Sequence, residues 1–160
     1  MGAVERATGE SRNFAGSVFA CASMNFGPSV RSFKHRDPSN LAFGWCAITA
    51  LGNFDPTKGG HLILWDLRLA IEFPPGSTIL IPSATLTHSN IAIQCHEARQ
   101  SFTQYSAGGV FRWVDNGCKT EAELKASDEG AYDRMMASKE TRWKMGLGMY
   151  SRLEDLLENV

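Results

Sequence analysis

Apolar and polar positions alternate in short runs along the first two thirds of the chain, and glycine and proline separate the runs. Val18-Phe19-Ala20-Cys21-Ala22-Ser23-Met24-Asn25-Phe26 alternates until Gly27-Pro28 interrupts it, so the stretch from Ser11 to Gly27 reads as the start of a β structure. Phe73-Pro74-Pro75-Gly76 is a turn signal; Thr78-Ile79-Leu80-Ile81-Pro82 after it reads as a buried strand, and Leu86-Thr87-His88 as the start of the next. Past His88, Ile91 and Ile93 alternate with polar or small residues, Gln94 to Ala98 can turn, and Arg99 to Tyr105 alternates again. A hairpin folded there would lay Arg99 and Ser101 beside the His88 strand, both on one face. Short strands at roughly 8–12-residue spacing predict a mainly β fold, a barrel or a double-sheet jelly roll.

The pattern changes after Gly117. Glu121 to Val160 is rich in helix formers, and Met135, Met136, Trp143, Met145, Leu147, Tyr150, Leu153, Leu156 and Leu157 recur at mixed three- and four-residue spacings. Two helices are predicted, over residues 120–127 and 129–158, the second bent near Gly146 and Gly148. Their apolar stripe is expected to pack on the outside of the β core; an exposed stripe would instead mark a protein interface. The expected organisation is a β core over residues 1–118 and a helical extension over 119–160.

Whole-chain properties narrow this picture. With 160 residues, 43% of them hydrophobic, there is apolar material for one core. Cys21, Cys46, Cys95 and Cys118 are widely spaced with no CxxC pair and no signal peptide ahead of them, which favours a reduced, intracellular setting over a disulfide framework. No apolar stretch approaches the roughly 20 residues that span a bilayer. The formal net charge of −1 is uneven: within residues 1–36, Arg6, Arg12, Arg31, Lys34 and Arg36 stand against Glu5 and Glu10. Lys34 and Arg36 could therefore offer phosphate contacts.

The candidate chemistry lies in His35, Asp37, His88 and Arg99. Side chains at i and i+2 of an extended segment share a face, so His35 and Asp37 can reach one metal ion, with His88 returning as the third ligand. Two imidazoles and one carboxylate leave coordination positions open, which suits a non-haem Fe(II) oxygenase. An arginine fork and a hydroxyl, Arg99 and Ser101, match the distal carboxylate of a small dicarboxylate. His61 and His96 read as strand-end or loop residues.

The ordered set His35-Arg36-Asp37-Pro38-Ser39-Asn40, Gly59-Gly60-His61-Leu62, His88 and Arg99-Gln100-Ser101 resembles the TET/JBP family of 2-oxoglutarate- and Fe(II)-dependent dioxygenases. Phe33-Lys34-His35-Arg36-Asp37 and Ser106-Ala107-Gly108-Gly109-Val110-Phe111-Arg112 look most like the expanded TET-like paralogues of mushroom-forming fungi. The resemblance runs from about Ser17 to Gly117. It implies a double-stranded β-helix core, iron ligands His35, Asp37 and His88, and a 2-oxoglutarate site at Arg99 and Ser101. It also implies base contacts from Asn40 and Tyr105. Where animal members carry a base-contacting histidine, this chain has Ala107, which leaves base identity open.

The activity so implied uses O2 and 2-oxoglutarate to hydroxylate a methyl group on a nucleobase, releasing succinate and CO2. The expected partner is methylated DNA, with 5-methylcytosine first among the bases, flipped out or single-stranded, in a nuclear protein. Only 34 residues precede His35, fewer than family members usually have. The alternative expectation is thus a shortened, weakly active or inactive TET-like module that binds nucleic acid or, through its C-terminal helix, a protein.

Overall fold

The computed structural model describes residue 14 and residues 16–158; Glu5, Arg6, Glu10, Ser11, Arg12 and Val160 lie outside the described residues. Seven strands form: β1 Cys21–Asn25, β2 Cys46–Asn53, β3 Leu62–Leu64, β4 Leu69–Ile71, β5 Thr78–Ile81, β6 His88–Asn90 and β7 Ala98–Tyr105. One antiparallel sheet has the order β1-β7-β2-β5, and the other β4-β3-β6, which an isolated bridge between His35 and His88 extends by one more segment. From β2 onward the chain passes to the second sheet for the β3–β4 hairpin, back for β5, across for β6 and back for β7. This alternation between two antiparallel sheets is the double-stranded β-helix winding.

Alternating side chains from both sheets supply the core. Ala50 of β2 and Ile81 of β5 pack with Leu62 and Leu64 of β3, and Phe54 and Phe73 fill in from the loops. Leu62 and Leu64 are buried on either side of half-buried Ile63, the two-residue period of a strand with one face in the core. Each such leucine or phenylalanine contributes about 1.5–3 kcal/mol. Gly60 makes the tight entry to β3 possible: its φ is +74°, and a Cβ there would lie 2.5 Å from the Phe54 ring.

Two sequence expectations about the strands need correction. β6 and β7 are not a hairpin: β6 pairs with β3, and β7 lies between β1 and β2 in the other sheet. The Gln94 to Glu97 turn carries the chain across, held by Glu97, which accepts from the N–H groups of Gln94 at 2.8 Å and Asp55 at 2.7 Å. β5 is an edge strand with only Ile81 buried, and Leu80 faces outward. The Gly108-Gly109 stretch opens helix α1, Gly108–Asp115.

The chain divides into two compact units, Met1–Phe111 and Arg112–Val160. Within the second lie α2 Glu121–Ser127, α3 Glu129–Ser138, α4 Arg142–Leu147 and α5 Leu153–Leu157. Thr120 and Glu123 form a reciprocal cap at the start of α2, and Asp128 caps α3. The single long helix expected over 129–158 is thus three pieces. Ser138 donates its hydroxyl to the Met135 carbonyl at 2.7 Å, a local bond that competes with helix continuation, and Gly146 and Gly148 lower helix propensity further along. No helix among the described residues is long and apolar enough to cross a membrane.

Candidate active site

The segment carrying His35 and Asp37 is fastened at three points. His35 and His88 exchange both backbone hydrogen bonds, at 3.0 and 2.9 Å, which puts their imidazoles side by side with ring centroids 4.3 Å apart. Two residues on, the Asp37 N–H donates to the Ser83 carbonyl at 3.0 Å. Pro38 then turns the chain, Asn40 N–H closes back on the Asp37 carbonyl at 3.0 Å, and the Leu41 N–H donates to the Ser106 carbonyl at 2.8 Å. The carboxylate therefore stands on a rigid loop between the two sheets' edges.

The donor set suits a divalent transition metal. His35 Nδ1 lies 2.7 Å from the Phe33 carbonyl and His88 Nδ1 lies 2.9 Å from the Leu86 carbonyl. A ring nitrogen facing a carbonyl carries the proton, so in both residues the Nε2 lone pair is left for a metal. Those Nε2 atoms stand 3.5 and 3.9 Å from the two oxygens of Asp37. One donor atom from each of the three residues lies within 4.8 Å of the others. Burial pushes the His88 pKa below its ordinary value, so this nearly enclosed imidazole is a neutral donor. His61 and His96 do not join the cluster.

Arg99 and Ser101 sit on central strand β7, at i and i+2, and both are buried. Arg99 is only 2% exposed, yet among the described residues its guanidinium makes a single bond, to the Val30 carbonyl at 3.2 Å, and its Nε has no partner. No carboxylate among the described residues pairs with it, and burial lowers its pKa. Ser101 Oγ accepts from the Asn25 amide at 2.9 Å, which frees its own proton for donation. A buried cation and a spare hydroxyl donor together are a seat for an anion. Gly52 lets β2 come this close to Arg99: it has a φ of +119°, and a Cβ there would collide with the Ala98 carbonyl oxygen.

All seven residues singled out from the sequence line one cavity of about 500 Å³: His35, Asp37, His88, Arg99, Ser101, Asn40 and Tyr105. The Asn40 amide donates to Ser83 Oγ at 3.0 Å and lies 3.5 Å from Asp37 Oδ2, so its side chain positions the carboxylate loop. Tyr105 OH lies 3.4 Å from Ser23 Oγ. Sequence reasoning missed Asn90, Asn25 and Ser83. Asn90 is buried and accepts from the Ser32 N–H at 2.7 Å and its hydroxyl at 2.8 Å, pinning the segment that leads to His35. It could have been noticed as the i+2 neighbour of His88; Asn25 and Ser83 carry no such signal.

No protein-family model matches the chain, and no curated protein matches it. Among solved structures it is similar to NgTET1 in complex with 5mC DNA, at 20% identity and a TM-score of 0.47, over 56% of this chain and 34% of that one. It is also similar to the viral collagen prolyl hydroxylase vCPH from Paramecium Bursaria Chlorella virus-1 in a 2OG complex, at 14% identity and a TM-score of 0.38, over 54% of this chain and 60% of that one. The chain thus spans about a third of the first structure and three fifths of the second.

Proposed function

We propose that this chain is an Fe(II)- and 2-oxoglutarate-dependent dioxygenase that oxidises methylated nucleobases in DNA, 5-methylcytosine to 5-hydroxymethylcytosine and further, in the nucleus. One observation carries the reading: a His-Asp-His donor set and a buried arginine without a carboxylate partner open into the same cavity. His35, Asp37 and His88 would hold the iron, and Arg99 and Ser101 the distal carboxylate of 2-oxoglutarate. Bound together with O2, these groups supply oxidative decarboxylation to succinate and CO2 coupled to hydroxylation of a C–H bond.

The protein's own contribution is positioning and charge. Both imidazoles are held in the metal-binding tautomer by backbone carbonyls, and Asp37 is fixed by Ser83 and Asn40. Arg99 offers its charge where water is largely excluded, so an anion gains more there than at the surface. Ile48, Leu62 and Thr103 make part of the cavity wall apolar or small, and Asn40 and Tyr105 offer polar groups to a base.

The test is succinate formation by protein loaded anaerobically with Fe(II) and then given O2 and 2-oxoglutarate, with and without 5-methylcytosine DNA, alongside mass spectrometry of the DNA. Succinate with 5-hydroxymethylcytosine is the expected result. Succinate without base oxidation would remove the substrate assignment, and absence of both would remove the enzyme. A second reading, a TET-like module that binds a protein, draws on the exposed Trp143, Leu147, Leu153 and Leu157; it gains only from the last outcome.

A further inference from the structure

The stretch that delivers His35 to the site carries an outward surface of its own. Phe33 is 74% exposed, and the Arg31 guanidinium sits 4.9 Å from its ring centroid. Trp65, on the 3-10 turn Trp65–Leu67 between β3 and β4, is 45% exposed, with Lys34 Nζ 4.5 Å from its ring centroid. Two partly exposed aromatic rings, each with a cation over one face, thus lie next to the residue that begins the metal site. Arg31 belongs to the cavity wall as well, so the surface is continuous with the opening.

The surface is braced. Arg36 donates to Thr87 Oγ1 at 2.8 Å and to Asp66 Oδ2 at 3.3 Å, and Asp66 also accepts from the Thr87 N–H at 2.7 Å. Trp65 Nε1 donates to Ser89 Oγ at 3.0 Å. These bonds fix the 3-10 turn against β6 and against the segment leading to Asp37, so Trp65 is held before any ligand arrives. Arg31 and Lys34 bring positive charge to the two rings, while Arg36 is paired with Asp66.

We propose that Phe33, Trp65, Arg31 and Lys34 form a stacking platform for single-stranded nucleic acid, which feeds an unpaired base into the adjoining cavity. A duplex presents only base edges and phosphates to a protein surface, so exposed ring faces gain nothing from it; unpaired bases present π faces, and cations beside the rings meet the neighbouring phosphates. The proposal rests on the nucleobase reading above and specifies the strand state that the site accepts.

The test separates the two. Metal-free protein is titrated into fluorescein-labelled 12-mer oligodeoxythymidine, and into a labelled duplex of the same length, with anisotropy read at several salt concentrations. No iron chemistry enters, so binding here is independent of succinate formation. Expected is tighter binding of the single strand, weakening as salt rises, and a loss of about five-fold or more for Phe33→Ala. Arg31→Gln with Lys34→Gln should flatten the salt dependence, and circular dichroism checks that each variant is folded. Equal or tighter duplex binding, unchanged affinity in both variants, or full displacement by polyglutamate at the charge concentration of the oligonucleotide would each overturn the proposal. The last result would point to an acidic protein as partner.

Discussion

Arg99→Met should make the ligand-free protein more stable while removing its response to 2-oxoglutarate. Arg99 is 2% exposed and, among the described residues, has no ion pair and an unsatisfied Nε. A buried donor left unmade costs about 1–3 kcal/mol, and a buried charge without a counterion adds to that. Methionine keeps most of the unbranched stem, and the Val30 carbonyl that loses its guanidinium partner keeps the Asn90 amide at 3.4 Å. The expected gain is therefore about 1–3 kcal/mol, or roughly 2–10 °C in Tm for a chain of this size. Ligand reverses the order: a cosubstrate at about a hundred times its Kd adds about 2.7 kcal/mol to the protein that binds it. Thermal unfolding with Mn(II) in place of Fe(II), with and without 2-oxoglutarate, reads both effects. A variant less stable than wild type without ligand, or one that still gains Tm from 2-oxoglutarate, would refute the argument that this cation is held in reserve for an anion.

Further expectations rest on the same geometry. Asp37→Ala and His88→Ala should each lower metal affinity by at least about a hundredfold in titration calorimetry, while far-ultraviolet circular dichroism stays unchanged. Asn40→Ala should weaken metal binding by about tenfold through loss of its hold on the Asp37 loop, visible in the same titration. Gly60→Ala should destabilise the first unit by about 2–4 kcal/mol in denaturant unfolding, since it adds backbone strain and displaces the Phe54 ring. Cys46 is 1% exposed and its pKa is raised to about 11 by burial; iodoacetamide at pH 8 should label exposed Cys95 and spare Cys46, as read by peptide mass spectrometry.

The candidate site was more legible in the sequence than the strand pairing around it. Periodicity reports which face of a strand is buried, so the i, i+2 pairs His35/Asp37 and Arg99/Ser101 could be read directly, and all four residues line the cavity. It does not report which strand lies alongside. The expected β6–β7 hairpin failed because β6 finds its partners in β3 and the His35 segment, and the edges of Arg99 are taken by β2 and by Pro28 and Val30. Those contacts join residues far apart in the chain, from Leu64 with His88 to Val30 with Arg99, the latter 69 positions apart, which no local pattern encodes. Helix α1 was hidden for the opposite reason: a Gly-Gly pair argues against helix locally, and tertiary context overrides that weak preference.

The backbone pairing of His35 with His88 also sets an order of assembly. Arg36 and Thr87, on the same two segments, are 51 residues apart in the chain, and strands β2 to β5 all lie between them. As the polypeptide leaves the ribosome, His35 and Asp37 emerge together, and His88 comes out only after both hairpin strands and edge strand β5 have been made. Of the three ligand residues, a growing chain can therefore offer an ion only His35 and Asp37 until β6 has been made. Metal capture by these three residues would then report that β6 has paired with the His35 segment.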